Sequence, residues 1–141
     1  MQIQFYFDYI SPNAYLAWSQ VSRLTAGREV DVEPVPVLFS AILDAHGQRG
    51  PAEIPAKMQW MVRDILWKAK QLNVPLNPPA SHPFNPLLAL RVSSLAQSRD
   101  KKSALISAIF EAVWVRKTDV SDSVATPTRT PTIQESKRIS P

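Results

Sequence analysis

The chain has 141 residues, the length of one ordinary domain. It is 45% hydrophobic and 20% charged, which provides for a hydrophobic core, and it has no cysteine, which excludes disulfide exchange by its own side chains. The net charge is +4 and the sequence pI is about 9.6, but the basic residues are scattered and form no stripe with interleaved aromatics, which argues against nucleic-acid binding.

A strand and a helix joined by a sharp turn are the first predicted elements. Ile3, Phe5 and Phe7 alternate with Gln4, Tyr6 and Asp8. This period of two residues predicts a strand. Ser11 and Pro12 predict a helix start, because serine caps a helical N–H and proline lacks the N–H that would otherwise be unpaired. The predicted apolar face of this helix is Ala14, Ala17, Val21 and Leu24. A hydroxyl at the positive end of a helix is a candidate anion site, and the competing interpretation is a helix cap with no further role.

A second strand is predicted for residues 29–37, where valines alternate with polar residues. Pro34 and Pro36 cannot donate ladder hydrogen bonds, which places this strand at a sheet edge. Strand, helix and strand in this order favour a parallel βαβ unit. Such a unit opens a thioredoxin-like domain and many other α/β folds.

Helical spacing replaces the strand pattern after the second strand. A short helix is predicted for residues 39–46, and the longest periodic run predicts a helix over residues 54–72. Trp60 and Trp67 lie beside the apolar face of the long helix, which predicts that they belong to the core or to a pocket wall.

Two further helices follow a proline-rich break. Asn85 and Pro86 repeat the cap-and-proline pattern of a helix start. The predicted buried face of the helix behind them is Leu88, Val92 and Leu95. The last helix is predicted to bury Leu105, Ala108, Ile109, Ala112 and Val113.

The motifs, in this order, resemble one family. A strand ending in FYFD and followed by S-P-x-x-Y is similar to the start of the 2-hydroxychromene-2-carboxylate isomerases and kappa-class glutathione transferases, thioredoxin-like proteins related to the DsbA oxidoreductases. The segments GPAEIPAK, LNVPLNPPASHPFNP and FEAVWV resemble the helical insertion of the same family. The resemblance covers about residues 1–116. It implies an α/β fold, mostly helical by residue count, with a thioredoxin-like βαβ part in residues 1–38 and a helical insertion domain in residues 39–116.

The resemblance also implies a glutathione-dependent isomerase or a related transferase. Glutathione, the implied cofactor, would lie with its sulfur against Ser11, and its thiolate would add to a small aromatic or unsaturated organic substrate. Lys57 resembles a lysine that contacts glutathione in kappa-class relatives, with a solvated first-turn lysine as the alternative. Pro55 beside it would offer backbone to the peptide-like ligand. Asn85 lies in a neighbourhood that faces the pocket in the family, although a plain helix cap is the favoured interpretation of this residue.

Other polar residues carry weaker signals. Asp8 ends the first strand and is predicted to have a structural role in the turn. His46 and His82 lie far apart without a carboxylate or cysteine pattern, so no metal site is expected. We expect a cytoplasmic protein without a membrane span, and a homodimer is possible within the family.

Residues 117–141 have almost no apolar periodicity and are predicted to be a polar, disordered tail. The resemblance ends at about Ser123, and the family's C-terminal half of the thioredoxin-like sheet has no counterpart here, as in a truncated or frameshifted product. A second hypothesis therefore stays open. It is a non-catalytic remnant or interaction module with an incomplete active site.

Overall fold

The computed structural model describes residues 1–95 and 98–121. Within these residues there are two strands and five helices, with one 3-10 turn (Pro51–Glu53) between the second and third helices. They are, in chain order, β1 (Gln2–Phe7), α1 (Pro12–Thr25), β2 (Asp31–Pro36), α2 (Phe39–Ala45), α3 (Pro55–Leu72), α4 (Leu87–Leu95) and α5 (Arg99–Trp114). The prediction of a mostly helical α/β fold is confirmed.

The sheet of the described residues consists of β1 and β2, which pair in parallel. Gln2 lies opposite Asp31, and Phe7 lies opposite Pro36. Since α1 connects the two strands, the predicted parallel βαβ unit is confirmed. The predicted tail lies outside the described residues from position 122 onward, and the division into domains at residues 38 and 116 stays a prediction.

A single aromatic-rich cluster joins the βαβ unit to the helices. Its buried members are Phe7, Tyr9, Tyr15, Leu16, Ala69, Ala89, Leu90, Ile106, Phe110, Val113 and Trp114. The ring centroid of Tyr9 lies 5.2 Å from that of Phe7 and 4.9 Å from that of Phe110, both in edge-to-face arrangements. Such pairs add to the hydrophobic stabilisation from burial. The segment that follows β1 therefore lies in the centre of the core.

The predicted buried face of α1 is wrong at two of its four residues. Ala17 and Leu24 are exposed, and the residues that α1 buries instead include Tyr15 and Leu16. The Tyr15 hydroxyl donates to the Pro75 carbonyl oxygen at 2.6 Å, so this phenol enters the interior with its polar group paired. A pattern of aliphatic residues alone could not show that.

The predicted buried face of α4 is wrong throughout. Leu88, Val92 and Leu95 are all exposed. The helix buries Ala89, Leu90 and Ser93. The Ser93 hydroxyl can be buried because it is paired with the Ala89 carbonyl oxygen at 2.9 Å and with the Tyr9 hydroxyl at 2.5 Å.

The predictions for α5 are confirmed in part, and those that placed the tryptophans of α3 in the core are wrong. Helix α5 buries Ile106, Phe110, Val113 and Trp114. Val113 was expected there, whereas Ala108 is exposed because the buried face is centred on the aromatic residues. Trp60 and Trp67 are 68% and 62% exposed, so neither belongs to the core.

Candidate functional site

The turn between β1 and α1, residues 8–11, is fixed by an internal carboxylate. The buried Asp8 side chain accepts from the Ile10 N–H at 3.1 Å and from the Phe39 N–H at 2.8 Å. The Ser11 N–H donates to the Asp8 carbonyl oxygen at 3.1 Å. Burial raises the pKa of Asp8, and the backbone hydrogen bonds oppose that rise. Asp8 thus has the structural role predicted for it and also ties the turn to the start of α2.

Two aromatic rings hold the carbonyl groups of the same turn. Trp114 Nε1 donates to the Tyr9 carbonyl oxygen at 2.9 Å. His82 Nε2 lies 2.8 Å from the Ile10 carbonyl oxygen, and because a carbonyl only accepts, the ring nitrogen carries the hydrogen. The His82 contact was not predicted from the sequence, since a single histidine in a proline-rich loop has no spacing that indicates its partner.

The Tyr9 side chain anchors the turn from within the core. It is fully buried and paired with Ser93 of α4 at 2.5 Å. Burial raises the pKa of the Tyr9 phenol well above its ordinary value. Tyr9 is therefore a neutral structural hydrogen-bonding group at physiological pH.

Ser11 is the N-cap of α1, as predicted. Its backbone is extended (φ −92°, ψ 111°), and its Oγ accepts from the Ala14 N–H at 3.1 Å. In the described part of the chain the side chain acts as acceptor, which leaves its O–H hydrogen to donate to a ligand. The positive end of the α1 dipole lies at the same place. Hydroxyl and helix end together favour an anion at Ser11.

Ser11 lies in the wall of a cavity of about 470 Å³, a volume within the range of small-molecule sites. Ile10, Ser11, Pro12 and Asn13 form one wall. A second wall is formed by α2 and the loop through residue 53, and Met61, His82 and Pro83 also line the cavity. Ser11 therefore shares its cavity with residues of the helices that follow the βαβ unit.

Charged side chains in the cavity wall come from α2 and from the segment after it. Arg49 is a basic residue in the wall, and Asp44 and Glu53 are acidic residues there. The Glu53 carboxylate is engaged by the Gly50 N–H at 2.6 Å, and the Arg49 guanidinium makes a long contact of 3.5 Å to the Glu53 carbonyl oxygen. Arg49 is thus available to bind a carboxylate. Sequence reasoning missed it because one arginine in a loop gives no periodic signal.

The other predicted glutathione contacts lie outside this lining. Pro55 and Lys57 are exposed in the first turn of α3, next to the segment that ends the cavity wall. Asn85 is exposed, and its Oδ1 accepts from the Leu87 N–H at 3.0 Å at the start of α4. The cap interpretation therefore describes the geometry of Asn85. Contacts of these three residues with glutathione stay a prediction.

None of the helices in residues 1–95 and 98–121 is long and apolar enough to cross a membrane. The same residues hold no group of three or more histidine or acidic side chains placed to bind a metal ion.

The fold and the turn define a class of protein, the thioredoxin-like proteins of the DsbA type. The family model of the DSBA-like thioredoxin domain matches residues 2–127. The chain belongs to this family, and the family resemblance seen in the sequence is confirmed.

Within this family, the chain is similar to glutathione transferases of the kappa class and to 2-hydroxychromene-2-carboxylate isomerases. The chain is 31% identical over 129 residues to glutathione S-transferase kappa 1 of Caenorhabditis elegans, which covers 87% of this chain and 56% of the relative. It is 30% identical over 114 residues to 2-hydroxychromene-2-carboxylate isomerase of Sphingobium xenophagum, covering 79% of this chain and 57% of the relative. A solved structure of 2-hydroxychromene-2-carboxylate isomerase has the same fold, with a TM-score of 0.75 and 22% identity over 84% of this chain and 58% of that one. The chain spans about half the length of the curated relatives it matches.

Proposed function

We propose that the cavity binds glutathione with its sulfur at Ser11, as the thiolate. The observation that carries the proposal is the position of the Ser11 hydroxyl, which caps α1 and lies in the wall of the 470 Å³ cavity. The names of the relatives, a kappa-class glutathione transferase and an isomerase, support this choice of ligand.

The chemistry of Ser11 is stabilisation of an anion. A free thiol with a pKa near 8.5 is mostly protonated at neutral pH, and the thiolate is the nucleophile. Donation from the hydroxyl and the dipole of α1 each favour the thiolate by about 1 to 2 kcal/mol, and together they would lower the thiol pKa by about 1.5 to 3 units. Ser11 would therefore activate a nucleophile that the ligand brings.

The charged groups of the cavity wall suit the rest of the ligand. Glutathione carries two carboxylates and one ammonium group. Arg49 is placed to pair with a carboxylate, and Asp44 is an acidic partner for the ammonium. Lys57 is proposed as a second cation for the ligand, because its long side chain starts near the end of the cavity wall. Pro55 and Asn85 are kept as proposed backbone and amide contacts.

The proposed reaction is the glutathione-dependent cis–trans isomerisation of an unsaturated cyclic or aromatic compound. The thiolate would form a carbon–sulfur bond, the ring would open, the substrate would rotate about the resulting single bond, and the same carbon–sulfur bond would break to release the thiolate. Thiol transfer to an organic substrate is the related outcome. The apolar side chains that line the cavity include Phe39 and Leu43 and would face such a substrate. Cytoplasmic location is part of the same proposal.

Thiol titration tests the proposal. Glutathione is bound to the wild type and to Ser11→Ala, and the thiolate is followed by its ultraviolet absorbance against pH. We expect the wild type to hold the thiol pKa below its free value and Ser11→Ala to raise it by about one unit. Ser40→Ala is the matched control, since Ser40 lines the same cavity from α2 and is not the cap of α1. Equal pKa values in Ser11→Ala and wild type would remove the serine from the mechanism.

An interaction module is the second candidate, and the exposed face of α4 favours it. Leu88, Val92 and Leu95 are exposed at spacings of four and three residues, so they form one apolar surface on the helix. An apolar face of this kind can pair with its own copy about a two-fold axis, as in a homodimer. Sedimentation velocity tests this reading, with a dimer expected for the wild type and a monomer for Val92→Glu. A wild-type monomer at high concentration contradicts it.

A further inference from the structure

The peptide group between Ile10 and Ser11 is held at both of its polar atoms. Its carbonyl oxygen accepts from His82 Nε2 at 2.8 Å, and its N–H donates to the Asp8 carbonyl oxygen at 3.1 Å. Because the peptide unit is planar, fixing both atoms fixes the direction in which the chain enters Ser11. The position of the Ser11 hydroxyl therefore depends on a residue 71 positions away in the chain.

The His82 ring is itself oriented by aromatic contacts. Its centroid lies 5.7 Å from that of Trp114 and 6.2 Å from that of Phe84. Trp114 donates to the carbonyl oxygen of Tyr9, so two neighbouring rings donate to two successive carbonyl groups of the turn. A carbonyl oxygen next to Ser11 carries partial negative charge, and a ring N–H bound to it reduces the repulsion of an anion nearby.

We propose that His82 is a positioning residue of the Ser11 site, which holds the Ile10 carbonyl so that the Ser11 hydroxyl and the start of α1 stabilise an anionic sulfur. The proposal rests on the proposed function, which identifies the anion as the glutathione thiolate.

Four variants distinguish loss of the hydrogen bond to Ile10 from loss of side-chain volume and from loss of overall stability. His82→Gln can place an amide N–H where Nε2 lies, His82→Asn is one methylene shorter and cannot, and His82→Ala removes the donor. His46→Ala is the matched control, because His46 is exposed at the end of α2. The two probes are glutathione and S-methylglutathione, which has no thiol to ionise.

We expect His82→Ala and His82→Asn to raise the pKa of the bound thiol by about half a unit. Both variants should bind S-methylglutathione within about twofold of the wild type, because the positioning acts on the sulfur anion. His82→Gln and His46→Ala should match the wild type for both probes. If His82 were needed only for folding, its substitution would lower the affinity for both probes alike. A thiol pKa in His82→Ala and His82→Asn equal to that in the wild type would overturn the proposal.

A measurement on the ligand-free protein keeps this test separate from the proposed function. Amide hydrogen exchange at Ser11 should become about five- to tenfold faster in His82→Ala and His82→Asn, and stay near the wild-type rate in His82→Gln. A wild type that fails to bind glutathione overturns the proposed function but not this result. Unchanged exchange in both variants overturns the positioning role, and if His82→Ala does not fold, the comparison of His82→Asn with His82→Gln decides.

Discussion

The two walls of the cavity are built in different ways. The turn of residues 8–11 takes hydrogen bonds from α2, from His82 and from Trp114, and its Tyr9 side chain is fully buried. The second wall consists of α2 and the loop that leads to α3. Neither α2 nor the 3-10 turn at Pro51–Glu53 contains a buried residue.

This difference suggests a division of labour. Groups held by several distant partners keep one geometry, which is what stabilising a developing anion requires. A segment with few buried contacts opens and adjusts at low cost, which suits the recognition of varied organic groups. Changes in the fixed wall should therefore alter stability and thiol pKa, and changes in the adjustable wall should alter ligand affinity alone.

The largest effect is expected for Trp114→Ala. Trp114 is 1% exposed and donates to the Tyr9 carbonyl oxygen, so the substitution leaves a large cavity and an unpaired acceptor. We expect the free energy of unfolding to fall by about 3 to 5 kcal/mol, measured by urea denaturation. Trp60→Ala removes the same side chain from a 68% exposed position and should change stability by less than about 0.5 kcal/mol. Similar losses of unfolding free energy in the two variants would show that Trp114 does not hold the turn in place.

Features carried by neighbouring residues could be predicted from the sequence. The alternation in β1 and the Ser11-Pro12 pair gave the strand, the helix start and the cap, because a strand period and a cap depend on the chain within a few positions. The parallel βαβ unit followed from the order of these elements.

Features set by packing between distant elements could not be predicted. Ser93 is buried through its pairing with Tyr9, 84 positions away, while the leucines of α4 stay exposed. The contact of His82 with Ile10 spans 72 positions. No local pattern encodes such pairs, so the buried face of α4 was predicted wrongly and the role of His82 in the turn was missed.

A pH-dependent effect is expected at Asp8, again in the fixed wall. Burial raises the pKa of Asp8 above its ordinary value of 3.8, so the folded chain holds this proton more tightly than the unfolded chain. Stability from this group is therefore complete below the unfolded pKa and is lost as pH rises through the folded pKa. The stability advantage of the wild type over Asp8→Asn should therefore shrink as pH rises from the ordinary value of 3.8 through the raised pKa of the folded chain.

Urea denaturation of both proteins across this range checks the prediction. All other carboxyl groups are common to the two proteins, so their contributions cancel in the difference. A difference that grows with pH would mean that the hydrogen bonds from Ile10 and Phe39 outweigh burial. Asp8 would then be an ordinary stabilised carboxylate in the turn.

A small effect on stability is expected for Leu43→Ala in the adjustable wall. Leu43 is half-buried, lies on a helix with no buried residue, and lines the cavity. Because solvent already reaches the side chain, its loss should cost less than about 1 kcal/mol of stability. A ligand group that packs against it should lose more, so affinity for S-hexylglutathione should fall about fivefold while affinity for S-methylglutathione stays within about twofold.

Calorimetric titration with the two ligands measures these affinities, and Ile42→Ala is the matched control. Ile42 belongs to the same helix and is 45% exposed, but it does not line the cavity, so both affinities should stay at the wild-type value. A stability loss above about 2 kcal/mol in Leu43→Ala would mean that α2 is packed as firmly as the turn. The contrast between a fixed and an adjustable wall would then be wrong, because both walls would be parts of one rigid site.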